Sequence, residues 1–595
     1  MKLKMFFPGP ASAGRARMMQ EKILFAFQTF SKRERELFLA LCAVFIASAA
    51  GLFFSVNSLF LVDIPKDGGQ LTEGLSGSPR FINPVLAVSQ TEHDIAALVF
   101  SGLLRLSGNG DLIPDLAESY SVSPDGSEYT FRLKEGLAFH DGKPLTSADV
   151  RFTIEKVQDP GIRSLKRGSW EGVVVETPDD RTVVFTLPAP YAPFLENTTL
   201  GILPKHLFAA LSSEEFSASP LNVRPVGSGP YRLDEIEQDS SGVAKQYDLV
   251  AFEKFALGKP HIEQIRLRFF ANEEELLHAY ESGAVDSMAA LSPVSARTLA
   301  NEGRGEDIRR APLPRAFGIF FNQNEQKIFA DASVRKALDI SADRGTIVND
   351  ILFGYGSALL GPFPPGVLGI GEVGAYSPDL FSSPKDPLEE AREFLKDGGW
   401  LYDEEEKAWR KKTKDGALIL EFSLSTSNIP ELKLAAEALV RRWAELGARV
   451  TIKVFEPGEL NQNIIRPRKY DALLFGEIVG RRPDPYAFWH SSQRLDPGLN
   501  VALYANASAD KVLVELRESR GESERMRLAQ EFYDILAEDA PAVFLYAPEF
   551  LYLASPRVKN VSLPPIMHPS ERFSGIFEWY VETDTVWKIF AQGPF

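Results

Sequence analysis

Hydrophobic and polar positions recur with two periods along this chain, and these periods predict strands and helices in turn. Apolar residues at every second position predict half-buried strands, and apolar residues at every third or fourth position predict helices. The predicted helices are 273–282, 332–340, 387–396, 431–446 and 523–537. The predicted strands are 129–133, 182–187, 418–424, 449–455, 472–475 and 542–546. Strands and helices mixed in this order indicate an α/β protein rather than a β-sandwich or a helical bundle.

The stretch FHDGKPLTSADVRFTIEKV, residues 139–157, combines several local signals. Residues 141–144 (DGKP) are typical of a turn, and Thr146 with Asp149 three residues later predicts the start of a helix. The helix presents three apolar residues at helical spacing, Val150, Ile154 and Val157. Taken alone, the stretch predicts a turn followed by a helix.

One segment departs from this alternation because residues 37–56 contain twenty residues without a charge. As a helix this segment is long enough to cross the hydrocarbon core of a membrane, about 30 Å thick. The basic flank before it predicts a cytoplasmic N-terminus and an exported body. A cleaved signal peptide is the alternative, since Ala47-Ser48-Ala49 fits a cleavage site. We favour a retained anchor because the apolar character continues to Val62, and we expect residues 63–77 to be a polar junction.

Composition and charge limit the partners. The 595 residues suggest three or four domains, and 44% hydrophobic with 25% charged residues is typical of a folded protein. Residues 1–36 hold eight Lys/Arg against three Glu, so the rest of the chain, with 57 basic and 78 acidic side chains, has a net charge of −21. An acidic body repels phosphate backbones, which argues against nucleic acid. Cys42 is the only cysteine, so no intrachain disulfide forms, and we interpret it as an inert thiol in the apolar segment.

Sequence motifs for catalysis or cofactor binding are missing or out of context. Residues 369–374 (GIGEVG) satisfy a dinucleotide-binding pattern, but no predicted strand precedes them and no helix follows them. No GxSxG, phosphate-binding loop or HExxH motif occurs, and the seven histidines are scattered. The Gly- and Pro-rich residues 361–383 are expected to form a surface connection. The sequence therefore predicts no cofactor, no metal site and no enzyme, with a hydrolase as the alternative that turnover of peptides would reveal.

Ordered motifs between residues 67 and 560 resemble those of one family, the extracytoplasmic solute-binding proteins of the oligopeptide and dipeptide class (family 5) of ABC importers. The stretch 139–157 is one of them. The others, in chain order, are LIPDLAESY (112–120), SPDG (123–126), YTFRLKEGL (129–137), VGSGPY (226–231), FFN (320–322), SVRKALDISADR (333–344), GGW (398–400), YDALLF (470–475), PDP (483–485) and LAEDAP (536–541).

The resemblance implies an α/β bilobed periplasmic-binding-protein fold (type II, peptide-binding class) with an inserted third domain, preceded by one transmembrane helix. Two lobes of this kind close over a ligand about a hinge. The expected organisation is a basic cytoplasmic segment (1–36), a transmembrane helix (37–62), lobe I (66–88, 200–315 and 556–595), an inserted domain (89–199) and lobe II (316–555).

The implied function is capture of short peptides outside the plasma membrane and delivery to an ABC permease and ATPase complex, with the body tethered by the N-terminal helix. Two alternatives stay open at this point. One is a tethered sensory or assembly protein with the same binding fold. The other is a binder of nickel chelates, haem or oligosaccharides, because related folds host several ligand types.

Candidate ligand contacts follow from the same resemblance. The family's partner for the peptide amine is an aspartate, and that role falls on Asp484, with Trp489 and Tyr486 as apolar walls. Arg481 and Arg482 precede it, and three roles stay open for them: pairing with Asp484, attraction of an anionic group, or no ligand role as exposed loop residues. Arg482 is the one we include among the candidate ligand contacts. Weaker candidates come from segments that approach the ligand in the family, and they are Asn83, Phe321 and Asn322. His140 and Asp141 are expected to be turn and packing residues.

Overall fold

The structure is a computed structural model of the chain, and it describes residues 25, 29–191, 193–289, 291–365, 367, 386–414, 416–519 and 521–590. The chain forms two compact units. One consists of Met1–Lys66 with Thr583–Phe595, and the other consists of Asp67–Glu582. Most of the predicted basic segment 1–36 and the pattern at 369–374 lie outside the described residues.

The smaller unit is built around one long helix, Lys32–Phe60. The helix begins at a capping box in which Ser31 N donates to Glu34 Oε2 (2.8 Å) and Glu34 N donates to Ser31 Oγ (3.4 Å). Its stretch Lys32–Asn57 is long and apolar enough to cross a membrane, and none of it is buried in the protein. The helix therefore suits a tether or a signal sequence. Strand Leu61–Lys66 follows it and pairs with strand Glu582–Trp587.

The larger unit is organised by one twelve-stranded mixed sheet. Its strands in spatial order are Arg449–Phe455, Glu421–Ser427, Ala472–Ile478, Arg315–Phe321, Ala542–Ala554, Ser287–Met288, Gln70–Ser76, Gln264–Phe270, Ala244–Ala251 and Tyr231–Gln238. Two further strands pair with Ala542–Ala554, and they are Ile308–Pro312 and Gly356–Ala358.

The long strand Ala542–Ala554 divides this sheet into two halves. Its beginning pairs with strand Arg315–Phe321, and its end pairs with strand Ile308–Pro312. We call the strands from Arg449–Phe455 to Arg315–Phe321, with Gly356–Ala358, the second half, and the remaining ones the first half. The buried apolar clusters follow the same division, since Leu313 packs with the first half and Ala316 with the second. Each half therefore has its own core.

The larger unit also contains three smaller sheets within its described residues. A four-stranded antiparallel sheet has the order Ala117–Val122, Glu128–Leu133, Thr182–Thr186 and Val174–Asp179, and a two-stranded sheet pairs Leu104–Leu106 with Leu112–Pro114. A three-stranded sheet consists of Leu401–Asp403, Ala408–Thr413 and Gly416–Ile419.

The stretch 139–157 fixes the helix Ser147–Gln158 beside the four-stranded sheet. Asp149 accepts hydrogen bonds from Thr146 N (2.8 Å) at the helix start and from Lys205 N (2.9 Å), which lies far along the chain. This carboxylate therefore caps the helix and anchors a distant segment, which is an architectural role.

The remaining helices complete the unit. The α-helices are Gln90–Val99, Phe194–Asn197, Lys205–Phe208, Ser213–Ala218, Glu273–Glu281, Pro293–Asn301, Ala332–Ile340, Arg344–Thr346, Pro387–Asp397, Pro430–Leu446, Pro457–Glu459, Tyr486–Trp489, Ala507–Glu518 and Glu522–Asp539. The 3-10 helices are Arg167–Trp170, Pro220–Asn222, Gly305–Asp307, Lys327–Ala330, Ser491–Gln493, Pro569–Glu578 and, in the smaller unit, Lys588–Phe590, and the π-helices are Ile347–Ile351 and Leu460–Ile465.

The predicted elements are present, with three corrections. The predicted strand 418–424 is interrupted at Leu420, so two strands occupy that region. The predicted strand 542–546 continues to Ala554. The expected polar junction 63–77 contains the end of strand Leu61–Lys66 and the whole of strand Gln70–Ser76, which lies inside the sheet. Glu73 of the second strand is buried in an ion pair with Arg572 (2.8 Å), a partner that the local pattern cannot reveal.

The expected surface connection 361–383 is described only in part. Phe363 and Val367 are buried in the core of the second half, so this end of the segment is not a surface connection. Residues 366 and 368–385 lie outside the described residues.

Candidate ligand-binding site

A loop of the second half, residues 479–485, reaches the first half of the sheet. It follows strand Ala472–Ile478, and Gly480 permits the sharp turn because its φ of 84° is left-handed. Arg481 Nη2 donates to Glu571 Oε2 at 2.7 Å, and Arg482 N donates to Glu196 Oε1 at 3.0 Å. The Arg481 side chain is only 3% exposed. Elements of the two halves therefore meet at this loop.

The acidic partners of this loop, Glu196 and Glu571, lie on short helices whose buried apolar residues, such as Phe194 and Phe573, belong to the core of the first half. Glu196 also falls within the expected inserted domain 89–199. Glu571 lies on the 3-10 helix Pro569–Glu578 and also accepts from Met567 N at 2.7 Å. Burial raises the pKa of Glu571, although the charge of Arg481 opposes this change. Burial also raises the pKa of Glu196, again opposed by Arg481. Both carboxyl groups are therefore poorly solvated and depend on the arginines of the loop.

A cavity of about 220 Å3 lies beside Glu571 in the first half, with His93, Lys166 and His568 in its wall. The two imidazole rings stack with centroids 6.4 Å apart. Burial, followed by the nearby charge of Lys166, lowers the pKa of His93 and of His568 to about 4. Both rings are therefore neutral at pH 7, and burial also lowers the pKa of Lys166.

A second charged group lines the cavity. Burial raises the pKa of the Asp115 carboxyl to about 6, while the charge of Arg105 opposes the rise. Arg105 also lies over the ring of Phe577, with its guanidinium carbon 5.1 Å from the ring centroid. The cavity is therefore lined by both polar and aromatic groups, which is typical of a pocket for a small polar solute.

Asp484, the predicted amine partner, is engaged by another residue of the second half. Arg517 on helix Ala507–Glu518 donates to both carboxylate oxygens, from Nε to Oδ1 (3.1 Å) and from Nη2 to Oδ2 (2.6 Å). The Asp484 side chain is 13% exposed. The partner is thus neither Arg481 nor Arg482, and an incoming amine would share the carboxylate with Arg517.

Tyr486 packs against the ion pair of Asp484 and Arg517. The guanidinium carbon of Arg517 lies 3.9 Å from the centroid of the Tyr486 ring and 5.8 Å from that of Tyr191. Tyr486 also stacks on His490, with ring centroids 4.1 Å apart. Arg482 has an exposed side chain and contributes its backbone N–H to Glu196. The structure therefore brings Asp484, Tyr486 and Arg482 to the same loop region.

The other predicted contacts lie in the packed interior. Trp489 is fully buried, and its indole N–H donates to Glu477 Oε2 at 3.2 Å. Asn83 is paired with Asn222 (2.9 Å), and Asn322 accepts from Asn324 N (3.1 Å) and ends its strand. Phe321 has no exposed surface. In this conformation these four side chains offer no surface to a ligand, so geometry gives their predicted contacts no support.

A wider cavity of about 570 Å3 borders His140 and Asp141. The His140 ring is held from both sides, since Nδ1 accepts from Gly227 N (3.2 Å) and Nε2 donates to Gly229 O (3.1 Å). Asp141 accepts from His206 Nε2 at 2.7 Å. Both side chains are therefore used in hydrogen bonds that hold the local structure, as the sequence indicates. The smaller cavity is the better candidate site because Glu571 in its wall contacts loop 479–485.

Several residues of the site were missed in the sequence. Lys166, Glu196, Arg517, His568 and Glu571 lie in segments without a binding motif, and hundreds of residues separate some of them. The region was signalled by the family resemblance that assigned the amine-binding role to Asp484, with Arg481 and Arg482 just before it. Among residues 29–590, where the structure describes them, no group of three or more metal-ligating side chains is present.

A two-part α/β sheet with a polar cavity beside the loop that joins its halves is the arrangement expected of a solute-binding protein. The family "Bacterial extracellular solute-binding proteins, family 5 Middle" matches residues 111–497. The chain belongs to this family, whose members bind solutes outside the cytoplasm. The expected fold class is thereby confirmed.

Relatives of known name cover most of the chain. The oligopeptide-binding protein AppA of Bacillus subtilis (strain 168) is 25% identical over 560 residues, which cover 91% of this chain and 97% of AppA. The di/tripeptide-binding protein 1 of Pseudomonas aeruginosa (strain UCBPP-PA14) is 26% identical over 499 residues, covering 78% and 86%. The structure of the ABC transporter substrate binding protein CtaP from Listeria monocytogenes superposes with a TM-score of 0.71 at 25% identity, covering 87% and 100%.

Proposed function

We propose that this chain captures short peptides between the two halves of its large unit and delivers them to an ABC importer. The observation that carries the proposal is the meeting of the two halves at loop 479–485, beside a polar cavity. The relatives named as oligopeptide- and di/tripeptide-binding proteins support peptides as the ligand class and do not favour sensing, nickel chelates or oligosaccharides.

The connections between the halves support closure about a hinge. The chain crosses between the separate cores at residues 313–315 and again at residues 547–549, inside the long strand Ala542–Ala554. Bending at two short crossings moves one core relative to the other without disturbing either of them. The expected boundaries stay a prediction, with lobe I at 66–88, 200–315 and 556–595, lobe II at 316–555 and an inserted domain at 89–199. The first crossing supports the boundary at 315, and the second crossing lies a few residues before 555. Residues 583–595 belong to the smaller unit.

The N-terminal helix supports a tethered protein. Helix Lys32–Phe60 has the length and apolar character of a membrane span, and basic residues precede it. By the positive-inside rule its N-terminus stays in the cytoplasm, and the binding unit lies outside. In this arrangement the chain delivers its ligand to a permease in the same membrane, and it binds solutes without converting them.

Mass spectrometry of small molecules that co-purify with the full chain tests the ligand class. The chain is extracted from its own membranes in mild detergent, purified and denatured to release the bound solutes. We expect a mixture of di- to pentapeptides, unchanged after prolonged incubation with the protein. A sugar or a metal chelate as the main released solute would contradict peptide capture, and shortened peptides would indicate a hydrolase.

The predicted role of Asp484 has its own test. If Asp484 shares its carboxylate between Arg517 and the peptide amine, Asp484→Asn weakens binding of peptides with a free amine by at least tenfold. N-acetylated peptides, which lack the ammonium charge, lose less. Isothermal titration calorimetry on the full chain measures both affinities, and equal affinity of wild type and variant for free-amine peptides would dispose of the role.

A further inference from the structure

The smaller unit carries exposed apolar side chains near the C-terminal end of the chain. Trp587 ends strand Glu582–Trp587 and is 45% exposed, and Ile589 in the 3-10 helix Lys588–Phe590 is 76% exposed. None of the described residues of this unit is buried. The strand forms a two-stranded sheet with Leu61–Lys66, and such a sheet without a hydrophobic core is at best marginally stable in water. An apolar environment around these side chains would therefore stabilise the unit.

The same side chains lie beside the end of the apolar helix. The ring centroids of Trp587 and Phe60, the last residue of helix Lys32–Phe60, are 6.4 Å apart. As a helix, the uncharged residues 37–56 span about 30 Å, which is the thickness of the hydrocarbon core, and Phe60 follows about 6 Å further along the axis. With the helix across a membrane, Phe60 and Trp587 therefore lie at the level of the lipid head groups on the extracytoplasmic side.

The residue types at this point suit the head-group level of a membrane. Tryptophan is enriched there because its ring is apolar and its N–H is polar. Lys588 lies between Trp587 and Ile589, and a lysine can keep its ammonium among the head groups while its methylene chain stays in apolar surroundings. Glu582 and Asp584, at the beginning of the strand, are exposed and acidic. The attraction to lipid is therefore apolar and belongs to the end of the strand.

We propose that Trp587, Lys588 and Ile589, here called the C-terminal patch, insert into the lipid interface on the extracytoplasmic side, beside the anchor helix. The inference goes beyond peptide capture, and it rests on the part of the proposed function that keeps the helix in the membrane. The large unit begins at Asp67 and ends at Glu582, so its chain continues into the smaller unit at both ends. The patch therefore attaches the end of the chain to the lipid that already holds its beginning.

A fluorescent label inside the patch tests the insertion. Lys588→Cys in a Cys42→Ser background gives a full chain with one thiol, flanked by the two intact apolar side chains. The thiol is labelled with the environment-sensitive fluorophore NBD, and the chain is reconstituted into phosphatidylcholine vesicles with or without lipids that carry a nitroxide near the head group. Lys511→Cys is the matched control, because Lys511 is 78% exposed on helix Ala507–Glu518 of the large unit. We expect quenching roughly threefold or more above this control, since the label lies among the lipids.

Polar substitutions separate insertion from simple proximity to the anchor. Trp587→Gln and Ile589→Gln remove the apolar groups, so each should weaken the quenching, and together they should bring it close to the level of the control. Ile589→Gln is informative by itself, because this exposed side chain can change without loss of the contact between Trp587 and Phe60. Leu495→Gln, at a residue of the large unit that is 77% exposed, should leave the quenching unchanged. Quenching that is equally strong with and without the two polar substitutions would overturn the insertion.

Ile46→Cys distinguishes failure of the patch from failure of the tether. Ile46 lies in the middle of residues 37–56 and is 66% exposed, so a label there should be quenched by nitroxides deep in the acyl chains. Quenching of this label, with the label at Lys588 quenched no more than that at Lys511, overturns the patch and leaves the tether. Absence of quenching at both positions overturns patch and tether together. If the label at Lys588 is quenched as expected but calorimetry on the same vesicles detects no peptide binding, the patch stands and peptide capture is wrong.

Discussion

At the scale of single residues, the buried guanidinium of Arg572 shows how the large unit holds a full charge in its interior. Arg572 has no exposed surface, and its Nη2 donates to Glu73 Oε1 (2.8 Å) and to Asp94 Oδ2 (2.9 Å). The hydroxyl of Tyr552 also donates to Glu73 Oε2 at 2.8 Å. These residues come from distant parts of the sequence, so one side chain ties several elements of the first half together.

Removal of Arg572 should destabilise the protein strongly. Arg572→Met leaves two buried carboxylates without their counter-charge, and loss of one partner of a buried ion pair costs about 3–5 kcal/mol of unfolding free energy. Urea denaturation of the full chain in detergent, followed by tryptophan fluorescence, measures the loss. Arg132→Met is the control, because its pair with Glu118 (3.6 Å) is more than half exposed on both sides and is expected to contribute at most about 1 kcal/mol. Similar losses in the two variants would contradict this account.

Glu477 should make stability depend on pH. Burial raises the pKa of its carboxyl from an ordinary value of 4.5 to about 8, although the indole N–H of Trp489 favours the charged form. The unfolded chain releases this proton near pH 4.5 and the folded chain near pH 8. The contribution of Glu477 to the free energy of unfolding is therefore largest below pH 4.5. It decreases as the pH rises to about 8, by at most about 1.4 kcal/mol per pH unit.

Glu477→Gln removes this dependence because the amide stays neutral. We expect the urea midpoint of the variant to rise relative to wild type between pH 5 and pH 8, with the larger advantage at pH 8. Glu515→Gln, at an exposed position of helix Ala507–Glu518, should follow the wild-type profile. A constant difference between Glu477→Gln and wild type at all pH values would show that the carboxyl titrates normally in the folded state.

At the scale of elements, the contact between loop 479–485 and the first half depends on one side chain and one backbone group. The Arg481 side chain reaches Glu571, whereas Arg482 uses its backbone N–H to reach Glu196. Neighbouring arginines in one loop thus have different roles. The sequence showed their position but could not show which of them points inward, because that depends on where Glu571 lies.

Loss of the Arg481 side chain should loosen the loop. Arg481→Met removes the ion pair with Glu571, so we expect amide exchange in residues 479–485 to become at least tenfold faster in the ligand-free chain. Hydrogen–deuterium exchange with mass spectrometry resolves this segment. Arg482→Met is the matched control and should exchange as the wild type does, because the backbone donor to Glu196 is retained. Equal exchange in all three proteins would mean that the pair does not hold the loop.

At the scale of the whole molecule, the N-terminal helix decides whether the chain stays in the membrane. Helix Lys32–Phe60 has no buried surface over its apolar stretch, which in water would expose a large hydrophobic area. A retained anchor keeps the chain in the membrane pellet after alkaline carbonate extraction, with an intact mass that includes the helix.

Ala49→Leu separates the anchor from a cleaved signal peptide. The small residue at position 49 suits signal peptidase, and leucine there blocks such a cleavage site. For a retained anchor, wild type and Ala49→Leu should have the same length and the same extraction behaviour. A soluble wild-type body that begins near residue 50, converted by Ala49→Leu into a membrane protein, would contradict the tether.

The sequence by itself determined the elements, the α/β class and the apolar helix, because these follow from local periods and caps such as Thr146 with Asp149. It also placed Asp484, Tyr486 and Arg482 in one region, since neighbours in sequence stay neighbours in space. Only the tertiary structure decided that strand Gln70–Ser76 lies inside the sheet, that Arg517 engages Asp484, and that Lys166 and Glu571 line one cavity. The physical reason is that the environment of a charge is set by partners brought from distant segments, and no local pattern records them.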